Sequence, residues 1–292
     1  MHRPVLLEET INYLNIKKDG IYVDCTLGDG GHSSKILKKI GSGRLISLDF
    51  DIRSIQFVKR NNPLATIDNW TIIHDNFAKL DKILDKLKIK RVDGFLFDIG
   101  LSSRQLGDKT RGFSFHGDGE LDMRMDDRMT IKAVDLLNCL SKKELEKLFA
   151  KYGEEKYAKE IASRIVRERK LDRIDNVYAL VKIIFKSVPP NYDRGRKHPA
   201  RRVFQALRIA VNDEINNLKT GLTKALDYLN VGGRIVVVTY HSLEQKIVED
   251  FINKNFEKIN LLTPIPVTPS ETEIVINKRS RSAKMFVIEK SK

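Results

Sequence analysis

The chain has 292 residues, 53 Lys plus Arg against 39 Asp plus Glu for a formal net charge of +14, and is 41% hydrophobic and 32% charged. That makeup belongs to folded globular proteins and excludes disordered and collagen-like chains; no apolar run approaches the ~18 to 20 residues that cross a bilayer, so a membrane protein is excluded as well. The apolar stretch Pro4 to Leu7 is short and followed at once by acids, so it does not read as a secretory signal, and a cytoplasmic protein is expected.

The first hundred residues alternate between strand and helix patterns. Ile21 to Leu27 is a β-branched run that stops at Gly28-Asp29-Gly30-Gly31, and helical spacing follows through Ile36, Leu37 and Ile40. Arg44 to Asp49 predicts a second strand, with Ile52, Ile55, Phe57 and Val58 on a second helix. Thr71 to His74 predicts a third strand, and Phe77, Leu80, Ile83, Leu84 and Leu87 face inward from the helix after it. Gly94 to Ile99 predicts a fourth. Units of this length imply an α/β fold with a mostly parallel sheet and helices on both faces.

The alternation then stops for about a hundred residues. Gln105 to Met129 reads as a long structured loop, and Ser141 to Phe185 as helices, the first opened by a Ser141/Glu144 capping box. Strand pattern returns at Arg234 to Tyr240, a helix starts at Leu243, and apolar runs at Glu273 to Ile276 and Met285 to Ile288 are expected to complete the sheet. The organisation expected is a core of residues 1–104 and 206–292 carrying a helical insert, 105–205. Two cysteines, Cys25 and Cys139, are too few for a disulfide framework and are expected to be reduced and buried.

The positive charge is concentrated in the middle third. Residues 101–205 hold 24 bases against 16 acids, while the other 187 residues are only +6. Arg194, Arg196, Lys197, Arg201 and Arg202 crowd one segment around His198. Lys278, Arg279, Arg281 and Lys284 form a second cluster without an acid among its members. Such clusters suit a polyanion, because each neutralised phosphate releases condensed counterions; a solvated basic face is the plain alternative.

A glycine turn after the first parallel strand is where such sheets receive nucleotide-like ligands, and Asp49, at the end of the second strand, is positioned for ribose hydroxyls. The turn is Gly-x-Gly-Gly, without the dinucleotide pattern and without a Lys-Ser/Thr for triphosphate, so a cofactor lacking pyrophosphate fits better, S-adenosylmethionine being the common one. Phe77 could stack on an adenine, though a lone aromatic there also reads as core. Asp98, at the end of an apolar fourth strand, is costly to bury without a task. Arg111-Gly112-Phe113-Ser114-Phe115-His116 and the acidic, Arg-containing stretch after it read as a site-bearing loop or an ion-paired one.

These strings, together with HRPVLL from His2, DCTLGDGGHS from Asp24, DIGLSSRQL from Asp98, RGFSFHGDGELDMRMD from Arg111, YGEEKYAKEIASRI from Tyr152, HPARRVFQALRIAVNDE from His198, YHSLE from Tyr240 and NKRSRSAK from Asn277, resemble the RsmH (MraW) family across essentially the whole chain. That family's members are bacterial methyltransferases acting on N4 of a cytidine in the decoding region of small-subunit (16S) ribosomal RNA. The resemblance implies a class I S-adenosylmethionine-dependent methyltransferase core, Rossmann-like and with the helical insert, and a cofactor site on Gly30, Gly31, His32, Asp49, Phe77, Asp98 and Gln105. It departs where the family usually has Phe-His-Ser-Leu-Glu-Asp-Arg and this chain has Tyr240 to Lys246, and the segment before the last basic cluster is short.

Cytosine N4 is a poor nucleophile because its lone pair is delocalised into the ring, so it needs acceptors for its N–H bonds as it attacks. Asp98 is the candidate acceptor; Ser102 and His241 are weaker candidates that also read as structural. Carbon-5 methylation would need a thiolate in the active-site turn, and neither cysteine sits there. The six histidines show no metal-ligand spacing, so no metal is expected. The expected RNA contacts are Arg111, Phe113, Phe115, Arg194, Arg196, Lys197, Arg201, Arg202, Lys278, Arg279 and Arg281, with Phe113, Phe115 and Tyr240 as candidates to stack the base. The expected partner is 16S ribosomal RNA within the small subunit, with a homodimer left open. Competing readings are a DNA amino-methyltransferase, disfavoured by Asp98-Ile99-Gly100-Leu101 in place of an Asp/Asn-Pro-Pro-aromatic turn, a noncatalytic RNA-binding assembly factor, and, last, a nicotinamide dehydrogenase.

Overall fold

The alternating runs resolve into a seven-stranded sheet. Its strands are β1 (Ile21–Asp24), β2 (Arg44–Asp49), β3 (Trp70–His74), β4 (Val92–Asp98), β5 (Leu229–Thr239), β6 (Ile259–Leu261) and β7 (Lys284–Lys290), in the order β3-β2-β1-β4-β5-β7-β6. The first five run parallel, and β7 is antiparallel to both β5 and β6. Helices α1 (Leu7–Tyr13), α2 (Gly31–Leu37), α3 (Ile52–Asn61) and α4 (Leu80–Lys86) alternate with the early strands. Between β4 and β5 come α5 (Ser103–Gly107), α6 (Ala133–Cys139), α7 (Lys142–Gly153), α8 (Ala158–Glu168), α9 (Val177–Phe185), α10 (Arg201–Asn212) and α11 (Glu214–Tyr228); α12 (Ser242–Lys254) and α13 (Glu271–Ile276) follow β5. This computed structural model describes residues 4–193 and 198–292. The chain divides into two units, Met1–Gly100 with Ile215–Lys292, and Leu101–Glu214.

In the first unit, successive strand residues point to opposite faces, so each strand feeds two cores. Val23, Ile46, Leu48, Phe95, Phe97, Ile235 and Val237 pack with Leu80, Ile83 and Leu84 of α4, Leu218, Leu222 and Leu226 of α11 and Val248 of α12. Tyr22, Leu45, Leu96, Val236 and Val238 pack with Ile11 of α1, Ile36 of α2 and Ile55 and Val58 of α3. With both faces covered, the strands read as continuous apolar runs. The strand order reverses between β1 and β4, which opens a crevice at their carboxyl ends.

The second unit is helical. Ser141 Oγ accepts from the Glu144 amide at 3.3 Å and Glu144 Oε2 accepts from the Ser141 amide at 2.8 Å, closing the capping box that the sequence predicts. Leu145 and Phe149 of α7, Ile161 and Ile165 of α8, Leu180 and Ile184 of α9 and Val203 and Leu207 of α10 are buried.

Four expectations are corrected. β1 ends at Asp24, since Thr26 to Gly31 already turn toward α2. Glu273 to Ile276 belongs to α13, because Ser270 Oγ accepts from the Glu273 amide at 3.2 Å and starts a helix there. The strand that completes the sheet beside β7 is instead β6, three residues too short to show a period. Cys139 is exposed at the end of α6, whereas Cys25 is buried. No helix among the described residues is long and apolar enough to cross a membrane.

Candidate active site

The site grows from the glycine turn between β1 and α2. Gly28 (φ +52°) and Gly30 (φ +79°) both adopt the left-handed region, which costs glycine nothing and a side-chain-bearing residue about 1–2 kcal/mol. At Gly31 the missing side chain makes room for the N-terminal segment: a Cβ there would lie 2.2 Å from Pro4 Cγ. The turn is tied to the tip of β2, where Asp49 Oδ2 accepts from the Gly28 amide at 2.9 Å and Oδ1 from the Asp51 amide at 2.8 Å.

Three neighbouring strands, β2, β1 and β4, each end in a carboxylate: Asp49, Asp24 and Asp98. Asp24 is fully buried and accepts from Ser33 Oγ at 2.6 Å and from the Thr26 amide at 3.1 Å. Burial pushes its pKa up, the Ser33 hydroxyl and His32 work against that, and the charge of Asp98 adds to the rise. Asp49 is pushed up to about 7, by burial first, with the Asp51 and Gly28 amides opposing and the charges of Asp51 and Asp24 adding to it. Buried like charges at close quarters penalise their own ionisation, and a cation lodged among them removes part of that penalty.

Asp98 is held on several sides. Its amide donates to Thr26 Oγ1 at 2.8 Å, and its Oδ1 accepts from the Tyr240 hydroxyl at 2.6 Å. Its Oδ2 is 3.6 Å from His32 Nδ1. His32 is buried, and its Nε2 is 3.2 Å from the Val5 carbonyl, which can only accept, so Nε2 carries a proton. The N-terminal segment therefore fixes the imidazole that faces Asp98, and it is fastened in turn by the Leu6 amide donating to Glu273 Oε1 at 2.9 Å.

The first unit thus brings together Gly30, Gly31, His32, Asp49 and Asp98 from the sequence-predicted set. Phe77 lies in the same unit but in the core: its ring meets Phe97 edge-on at 5.5 Å and packs against Gly221. His241 caps α12, its Nδ1 accepting from the Glu244 amide at 3.4 Å. Its Nε2 is 2.9 Å from Glu244 Oε1, within ion-pair distance but out of line for a hydrogen bond. Tyr240, expected to stack a base, directs its hydroxyl at Asp98.

Gln105 and Ser102 belong to the second unit and form a capping box at the start of α5, Gln105 Oε1 accepting from the Ser102 amide at 3.0 Å and Ser102 Oγ from the Gln105 amide at 3.1 Å. Arg111 and Phe113, expected to meet RNA, are turned inward. Arg111 is buried and donates to the carbonyls of Arg124 at 2.6 Å and Met125 at 3.1 Å, with its guanidinium over the buried Phe113 ring. Together they staple the loop. Phe115 is half-buried and stacks on His198 at 4.4 Å. Arg202 bonds the Tyr192 hydroxyl and pairs with Asp193 at 3.6 Å, and the buried Arg201 Nε has no hydrogen-bond partner among the described residues. Arg194, Arg196 and Lys197 lie outside the described residues. Lys278, Arg279 and Arg281 are exposed on a 3₁₀ turn, Lys278–Ser282, in the first unit.

Sequence reasoning missed Asp24, the bond from Tyr240 to Asp98 and the Pro4–Leu6 segment. The argument applied to Asp98, an acid ending an apolar strand, would have found Asp24. The other two rest on pairings such as Tyr240 with Asp98, 142 residues apart, which leave no local trace.

The model of the MraW methylase family matches residues 1–291. A protein of Caldicellulosiruptor saccharolyticus named ribosomal RNA small subunit methyltransferase H is 44% identical over 307 residues, covering 99% of each chain. One of the same name from Clostridium botulinum (strain Loch Maree / Type A3) is 42% identical over 308 residues, covering 99% of this chain and 98% of its own. The crystal structure of a candidate rRNA-methylase from Clostridium thermocellum superposes with a TM-score of 0.50 at 16% identity, over 99% of this chain and 100% of that one, which is a likeness of fold.

Proposed function

The chain belongs to the MraW methylase family, and on that premise we propose that it transfers a methyl group from S-adenosylmethionine to N4 of a cytidine in the decoding region of 16S ribosomal RNA, within the small subunit and in the cytoplasm. The observation that carries the reading is the trio of carboxylates, Asp24, Asp49 and Asp98, ending adjacent strands beside a glycine turn. That donor set fits the cofactor: a cationic sulfur relieves the crowding of negative charge, and Asp49 offers acceptors for ribose hydroxyls.

When bound, the cofactor supplies an electrophilic methyl on a positively charged sulfur. The chain's own contribution is alignment and a proton acceptor. Asp98 would accept an N–H of the cytosine amine. The proton that the amine gives up on methylation would pass through Asp98 to solvent. The thiols support amine over carbon chemistry: burial, with the charge of Asp24 beside it, pushes the Cys25 thiol well up, the opposite of what a nucleophilic thiolate needs.

We assign Gln105 to the cofactor side of the reaction and the exposed Lys278, Arg279 and Arg281 to RNA recognition, with the base turned out at a cost of a few kcal/mol. The test is mass spectrometry of 16S ribosomal RNA nucleosides from cells with and without the protein. Loss of N4-methylated cytidine on deletion and its return on complementation are expected; an unchanged nucleoside profile overturns the reading.

A further inference from the structure

Tyr240 follows β5 immediately, and its hydroxyl is 2.6 Å from Asp98 Oδ1, a distance typical of a hydroxyl donating to an ionised carboxylate. Two features hold it there. Its amide donates to Glu244 Oε2 at 2.6 Å, which pins the backbone at the start of α12. Its ring lies where Gly100 has no side chain, since a Cβ on Gly100 would come within 2.5 Å of the ring. The phenol is a donor at every working pH, because burial, the charge of Asp98 and its hydrogen bond, and then the charges of Glu244 and Glu273, push its pKa well above the usual value.

We propose that Tyr240 is a positioning residue for methyl transfer: by donating to Oδ1, its hydroxyl fixes the plane of the Asp98 carboxylate, so that the group meets the incoming amine in one orientation. The proposal rests on the assignment of Asp98 as the amine's acceptor. A carboxyl group on a single Cβ–Cγ bond swings freely, and a swung carboxylate offers the nitrogen an oxygen in the wrong direction, so loss of the anchor falls on the chemical step rather than on binding. The same bond stabilises the charged form of Asp98 and so lowers its basicity. Among the described residues, the ionisable groups facing Asp98 also include His32, whose Nδ1 is 3.6 Å from Oδ2, and Asp24, whose charge interacts with it.

Tyr240→Phe removes the hydroxyl and keeps the ring. With small ribosomal subunits lacking the modification as substrate, kcat is expected to fall about ten- to hundredfold, the worth of a hydrogen bond to a charged group, while KM for S-adenosylmethionine and for the subunit stays within about twofold. The acid limb of the kcat–pH profile should move to higher pH, because Asp98 loses a bond to its charged form. Unchanged kcat and an unchanged acid limb in a folded Tyr240→Phe protein overturn the proposal. Gly100→Ala, which displaces the ring and with it the hydroxyl, is the second variant; the double substitution should lose little more than either alone, and full additivity overturns the account. Asp98→Ala separates the two levels. Near-normal turnover there sinks the assignment of Asp98 itself, whereas an inactive Asp98→Ala beside a wild-type Tyr240→Phe sinks only the role of Tyr240.

Discussion

Asp49 shows how a single carboxylate can report on its ligand. Its pKa, pushed up to about 7 by burial, stands well above the ~3.9 of an exposed aspartate. The stability that this elevation gives the folded chain is present in full below the unfolded value and is lost as pH rises through 7, so above neutrality the protein without cofactor carries an ionised Asp49 at a cost. Ribose hydroxyls donating to the carboxylate favour that ionised form. Affinity for S-adenosylhomocysteine should therefore fall by up to about tenfold per pH unit below 7, with release of a proton on binding. Isothermal titration in buffers of different ionisation enthalpy measures both quantities. Asp49→Asn should flatten the dependence between pH 5.5 and 7.5, and a pH-independent wild-type affinity would remove Asp49 from the ribose site.

At the level of elements, α11 carries a glycine in its interior, a choice that costs a helix about 1 kcal/mol relative to alanine. The reason is close packing: a Cβ on Gly221 would sit 2.7 Å from Phe77 and 3.2 Å from Phe97, both buried rings. Overpacking therefore outweighs propensity, and Gly221→Ala should destabilise the protein by about 1–3 kcal/mol in a urea titration rather than stabilise it; a gain in midpoint would refute this packing account. The same contact explains an ambiguity in the sequence. Phe77 sits where an adenine-stacking aromatic could sit, but what faces its ring, Phe97 and Gly221, comes from distant segments. Elements with several periods were legible: β1, β2, β4 and β5 by their apolar runs, α7 by its capping box. Those that were not either lack a period, as with β6, or owe their form to one cap, as with α13, whose Ile274-Val275-Ile276 looks like strand until Ser270 closes the first turn. In the site, the glycine turn, Asp49 and Asp98 were readable because each marks a strand end. Tyr240, Val5 and Glu273 were not, because each acts through a partner far along the chain.

For the molecule as a whole, the net charge of +14 predicts attraction to a polyanion, but the structure divides the basic residues into two kinds. Arg111 is buried under carbonyls, and Arg202 is bound to Tyr192 and Asp193, so their charge is already committed within the second unit. Lys278, Arg279 and Arg281 are exposed on a short turn of the first unit, where phosphates can reach them. Counterion release makes the distinction measurable. If Arg279 and Arg281 each meet one phosphate of a single-stranded segment, substituting both by alanine should reduce the slope of log affinity against log salt by about 0.7 per contact, or roughly 1.4 in all. Affinity for S-adenosylhomocysteine and the melting temperature should not change. Arg202→Ala should do the reverse, lowering the melting temperature by uncoupling the Tyr192 and Asp193 pair before it alters the salt slope. Titrations of 16S ribosomal RNA fragments at several salt concentrations, run beside thermal melts, separate the two. A slope that falls for Arg202→Ala with no loss of thermal stability, and stays fixed for the Arg279 and Arg281 double variant, would invert the assignment and return the polyanion contact to the second unit.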